Sequence, residues 1–156
     1  MKYMFYKDLE RFIDEKKQCW TKASDQIWNY AETKFQETRS SETLCSLLAQ
    51  EGFDVETGIA GLPTAFVASF GSGAPVIAFL GEYDALSGLS QQEGLPEKKS
   101  LIEGGNGHGC GHHLLGVGSL AAAAAVKEIL TKNKLSGTVR YYGCPGEEGG
   151  SGKAFM

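Results

Sequence analysis

The stretch Gly107-His108-Gly109-Cys110-Gly111-His112-His113 gathers all three histidines of the chain around one thiol. A thiolate and a neutral imidazole are good ligands for zinc or a similar divalent ion. Cys110 and His112 stand two residues apart, so in extended backbone both side chains point to one side. The flanking glycines let the backbone turn tightly and come close to a ligand. The segment opens a predicted helix, whose N-terminal dipole would favour a thiolate at Cys110. The plainer alternative is a glycine-rich loop whose histidines only cap that helix.

A second run, Gly143-Cys144-Pro145-Gly146-Glu147-Glu148-Gly149-Gly150, follows a predicted strand. Adjacent side chains in extended backbone point to opposite sides. One carboxylate can then ligate a metal while the other acts as base toward water, the pairing that metal-assisted hydrolysis needs. Two solvated glutamates are the alternative. A third run, Gly81-Glu82-Tyr83-Asp84-Ala85-Leu86, closes an apolar strand. Carboxylates at the carboxyl ends of strands are site candidates in α/β sheets, and Asp84 can orient a ligand histidine. A strand end turning into solvent explains the same residues. Rival motifs fail. Gly152-Lys153 is followed by Ala154 and not by the Ser or Thr of a phosphate loop, and there is no Cys-x-x-Cys pair.

These groups need elements to hold them. Apolar residues from Leu9 to Phe35 recur at three- and four-residue steps and predict a helix over about 7–37. A second helix is predicted from Ser40-Ser41, with Gly52 ending it. Phe53-Asp54-Val55 enters a strand. Residues 65–70 and 75–80 read as two further strands, and Gly71-Ser72-Gly73-Ala74 between them has the chemistry of a hairpin turn. Residues 87–105 read as loop. A buried, alanine-rich helix is expected from His112 or His113 to about Thr131, then a strand over 137–142. The alternation predicts an α/β fold, a mixed sheet with helices on both faces.

The chain has 156 residues, a net charge of −4 and an apolar fraction of 42%, which fits one soluble globular domain. With 15 basic against 19 acidic residues it has no broad surface for nucleic acid. The apolar run Leu114–Val126 falls short of the roughly 20 residues a spanning helix needs, so no membrane partner is expected. The start, from Met1, shows no leader-like run. Four cysteines at irregular spacings suggest free thiols and a cytoplasmic protein.

The two glycine-rich motifs, with Gly58-Ile59-Ala60-Gly61-Leu62-Pro63-Thr64-Ala65 and the Glu82-Tyr83-Asp84 run, resemble the dinuclear metal amidohydrolases of the aminoacylase/carboxypeptidase type. Within that family they look most like the aminobenzoyl-glutamate hydrolase branch. The resemblance implies cleavage of an amide bond to an amino acid, with an acyl-amino acid or dipeptide as substrate and two divalent ions, zinc or manganese, per site. It maps the metal ligands onto Cys110, His112 and Glu148, the general base onto Glu147 and the supporting aspartate onto Asp84. It leaves His113 and Glu82 without a role, because relatives carry Asp and His there.

Members of the family are longer, with more metal-binding histidines downstream and an inserted domain that forms a homodimer. No histidine follows His113 here. Residues 1–156 are therefore expected to be the N-terminal portion of a zinc-peptidase-like catalytic domain, without the dimerisation domain and with one ion at most. Two other outcomes stay open: a silent fragment or half of a split enzyme, and a metal-binding module without turnover.

Overall fold

The amphipathic stripe predicted as one helix breaks twice. α1 spans Tyr6–Glu15 and α2 spans Lys17–Tyr30. At Lys16 the backbone leaves helical geometry, and the ammonium turns to Glu51 and lies 4.9 Å above the Phe12 ring. α2 stops because Ala31 takes left-handed backbone, so residues 31–37 form a connector and not a helix end. α3, Thr38–Gln50, starts two residues before the expected serines. The Glu32 carboxylate does the capping, accepting from Arg39 N at 3.0 Å and Ser40 N at 2.9 Å. The protein is described by a computed structural model covering residues 5–156. Met1 to Met4, part of the segment that lacks a leader-like run, lie outside the described residues.

Four strands follow: β1 Asp54–Thr57, β2 Phe66–Ser72, β3 Val76–Glu82 and, after the 22-residue helix α4 (His112–Asn133), β4 Gly137–Cys144. The sheet order is β1-β2-β4-β3. This corrects the hairpin expected at 71–74. β2 and β3 do not pair; β4 lies between them, antiparallel to β2 (Ala68 beside Tyr141) and parallel to β3 (Phe79 beside Tyr141). The Gly-rich link is thus a crossover over the end of β4, and Thr138 N donates to the Pro75 carbonyl there. β3, which reads as a core strand, is the edge of this sheet. Val76, Ile77 and Leu80 are all exposed.

The fold is the expected α/β mixed sheet, and among the described residues the helices pack on one face of it, where helices on both were expected. Phe66, Ala68, Val139 and Tyr141 alternate onto that face and join Ile27, Leu44, Leu48, Val117, Leu120 and Ala124 in a single core. Arg140, Tyr142 and Leu80 alternate onto the other face and stay partly or largely open. Truncating a fully buried leucine such as Leu44 or Leu48 should cost about 2–5 kcal/mol. α4 is long and apolar enough to cross a bilayer by length and composition, longer than the run counted in the sequence. Its apolar residues are used against the sheet and against α1 and α2, with Val117, Leu120, Ala123 and Ala124 buried.

Candidate metal centre

Three segments converge where β3 and β4 end and α4 begins. β3 delivers Glu82 at its last position, with Asp84 two residues on. His112 opens α4, and Gly111 before it holds a left-handed conformation (φ 76°) that turns the chain between Cys110 and His112. Beyond β4, Pro145 and Gly146 lead into a tight turn over Glu147–Gly150, non-helical at Glu148 and Gly149, which carries both glutamates.

His112 is buried at the middle of the cluster. Its Nδ1 donates to Asp84 Oδ1 at 2.8 Å and also lies 3.2 Å from the Asp84 carbonyl. That bond fixes the ring and leaves Nε2 pointing at the carboxylates, 3.0 Å from Glu82 Oε2 and 3.8 Å from Glu147 Oε2. Asp84 Oδ2 accepts the Glu148 N–H at 2.8 Å. One fully buried aspartate therefore sets both the imidazole and the turn that presents Glu148.

Two groups of ligand atoms result: Cys110, His112 and Glu148, and Glu82, His112 and Glu147. Within each group the atoms lie within 4.8 Å of one another. A zinc-sized ion bonds such atoms at about 2.0–2.3 Å, a separation these groups reach with small side-chain movements. Glu148 Oε1 is buried with no hydrogen-bond partner. A bare buried carboxylate oxygen is unfavourable, and a cation between Cys110, His112 and Glu148 would satisfy it. The donor set and the orphaned oxygen both fit a divalent ion.

The local charges correct one expectation. The Cys110 thiol is held above its ordinary range, chiefly by its contact with the Glu148 carboxylate, which opposes the thiolate expected from the helix dipole. Cys110 precedes the helix and is exposed, where water screens the dipole. A bound cation would reverse the balance.

All five residues singled out by sequence, Cys110, His112, Asp84, Glu147 and Glu148, thus meet around one imidazole. Cys110 and His112 do so through a tight turn and not through extended backbone. His108 and His113 face the other way, toward Trp28 on α2. Glu82, which has no role on sequence grounds, stands beside His112, and its other oxygen accepts from Lys153 Nζ. Its two-residue spacing from Asp84 is the signal that could have found it. Lys153 and Glu37 carry no local signature, and sequence reasoning misses both.

Residues 78–156, which hold this whole cluster, match the profile of peptidase family M20/M25/M40. The chain belongs to this family. It is 55% identical over 153 residues to one subunit of the p-aminobenzoyl-glutamate hydrolase of Escherichia coli (strain K12), across 96% of this chain. It spans 32% of the length of the curated relatives it matches. Among solved structures it is similar to a dinuclear metal-binding peptidase of the M20 family from Bacillus subtilis, with 26% identity and a TM-score of 0.65 over 85% of this chain and 36% of that one. A protein from methicillin-resistant Staphylococcus aureus described as an aminohydrolase shares the fold, with 24% identity and a TM-score of 0.76 over 96% of this chain and 38% of that one.

Proposed function

We propose that this M20-family chain carries part of the active centre of a metal-dependent amidohydrolase that cleaves an amide bond to an amino acid. An aminobenzoyl-glutamate or another acyl-amino acid is the substrate class. The observation that carries the reading is the pairing of Glu147 and Glu148 on one turn, both beside a histidine oriented by a buried aspartate. The 55% identity to a p-aminobenzoyl-glutamate hydrolase supports the substrate class. Residues 1–156 then correspond to the N-terminal portion of the catalytic domain.

Cys110, His112 and Glu148 are the ligands in this reading. The thiolate favours zinc, and the carboxylates gathered around His112 are compatible with manganese. When bound, a divalent ion there polarises the amide carbonyl and makes water a stronger acid. The chain's own residues do the rest. Asp84 keeps the His112 proton on Nδ1, so Nε2 is free to ligate. Glu147, with a side chain 40% exposed, is open to solvent and substrate. Its carboxylate takes a proton from the attacking water, holds it on an oxygen, and passes it to the departing amine. Lys153 balances the charge of Glu82 at the rim.

Metal content decides the first half of this reading. The purified chain, dialysed against trace zinc and manganese, should retain a tight ion that Cys110→Ala loses. Hydrolysis of p-aminobenzoyl-glutamate then tests the second half. Tight metal binding with no hydrolysis of any acyl-amino acid in an assembly that supplies all its ligands would make the protein a metal-binding module instead.

A further inference from the structure

Residues 31–37, the connector between α2 and α3, touch every segment that builds the centre. Asn106 Nδ2 donates to the Ala31 carbonyl at 3.1 Å, just before the Cys110 loop. Ala85 N donates to the Glu32 carbonyl at 2.8 Å, next to Asp84. Lys34 Nζ donates to the Gly149 carbonyl at 3.4 Å. Phe35 packs on the glutamate turn so closely that a Cβ added at Gly146 or Gly150 would come within 2.8 or 2.6 Å of its ring. Gly146 also needs its left-handed φ of 62°. Glu37 Oε1 accepts the Gly146 N–H at 2.7 Å, one residue before Glu147.

Glu37 is fully buried. Its other oxygen accepts from Thr64 Oγ1 at 3.0 Å, and among the described residues it forms no ion pair. Burial holds its carboxyl above the usual range. Burying a carboxylate without a countercharge is unfavourable, and hydrogen bonds offset only part of that. The start of α3 does not require it, because Glu32 already bonds Arg39 N and Ser40 N. Glu37 supplies a second fixed acceptor for the turn that carries both glutamates, at its entry, while Asp84 takes the Glu148 N–H.

We infer that Glu37 is a positioning residue: through Gly146 it fixes the Glu147–Glu148 turn against His112, and so sets ion affinity without touching ion or substrate. The inference rests on reading Cys110, His112 and Glu148 as ligands.

Cobalt(II) titration of the 156-residue chain tests it, read by thiolate-to-cobalt absorption and by the ligand-field bands. Glu37→Ala and Glu37→Asp should bind cobalt at least about tenfold more weakly, with an altered ligand-field envelope, because neither reaches the Gly146 N–H. Glu37→Gln should stay within about threefold of the parent and keep its spectrum. Its amide oxygen can accept from Gly146 while its NH2 donates to Thr64 Oγ1. Thr64→Val removes the side-chain partner of Glu37 and leaves its backbone partners in place, so affinity and spectrum should stay unchanged.

Circular dichroism checks folding; if Glu37→Ala does not fold, Glu37→Asp decides, since it keeps the charge. A folded Glu37→Asp with parental affinity and spectrum overturns the inference. So does a Thr64→Val protein that loses as much affinity as Glu37→Asp, because generic loosening would then explain both. A parent chain that binds no cobalt, or a Glu148→Ala variant that binds as well as the parent, overturns the ligand reading itself and the inference with it.

Discussion

His112 and His113 are consecutive residues in the first turn of one helix, and they face different worlds. His112 is ringed by oxygen: Asp84 at 2.8 Å, Glu82 at 3.0 Å and Glu147 at 3.8 Å. His113 sits against carbon, its ring 4.9 Å from Trp28 edge-on and 4.9 Å from His108. His108 joins that second group, with Nε2 donating to the Ile27 carbonyl at 3.0 Å. A helix rotates about 100° per residue, so neighbours in sequence are assigned to different faces. Clustering of histidines marks the neighbourhood of a metal centre. The oxygen atoms opposite each ring decide which one can serve it.

The largest effect should fall on the carboxylate nearest the open side of His112. On the proposed reading, and in an assembly that supplies the remaining ligands, Glu147→Gln should reduce hydrolysis of p-aminobenzoyl-glutamate by about 10²–10⁴-fold while metal content by mass spectrometry stays unchanged. Full activity in that variant would remove Glu147 from the mechanism. His113→Gln, one residue from the ligand, should leave turnover within a few-fold. Next comes Asp84→Asn, which loses the acceptor that fixes His112 and should weaken zinc binding by about 10–100-fold in competition titrations. Equal affinities for Asp84→Asn and the parent would erase the distinction between the two histidines.

The carbon-lined side makes a prediction of its own. Burial holds the His108 pKa down at about 4, below the unfolded value of about 6.5. The unfolded chain therefore takes up this proton first. The contribution is fully present above about pH 6.5, is lost as pH falls from there to about 4, and levels off below. Urea denaturation of the metal-free protein should show a loss on the order of 3 kcal/mol across that window. His108→Gln should flatten it, and an unchanged slope would place the titration elsewhere. The smallest effect is expected for Lys153→Met. It leaves Glu82 without its cation, and divalent ions should bind about two- to threefold more tightly by calorimetry, with less dependence on salt.

What sequence could reveal follows the same division. Cys110, His112, Asp84, Glu147 and Glu148 are legible because their chemistry is local: types and short spacings suffice, and two glycine-rich turns frame them. The strands β2, β3 and β4 and the helix α4 are legible from their apolar runs. The pairing order is not. Nothing in Gly71-Ser72-Gly73-Ala74 says that β4 will separate the strands it joins. The breaks at Lys16 and Ala31 are equally silent, since an amphipathic stripe continues through both, and neither residue is Gly or Pro. Glu37 is the clearest case. Its partner Gly146 is 109 residues away, and a glutamate at a helix start ordinarily reads as a solvated cap. The composition of residues 31–37 gives no hint that three separate segments lean on them.

The position of β4 has a consequence for how the chain is made. It comes last of the four strands described, yet it lies between β2 and β3 and supplies pairing to both. Until residues 137–144 have been synthesised, β3 has no neighbour and β2 has only β1. The apolar side chains of β3 wait unpaired for more than fifty residues of translation. Contacts this distant form slowly, and exposed strands invite other chains meanwhile. The glutamate turn follows β4 directly, so these groups can come together only after β4 has joined β2 and β3.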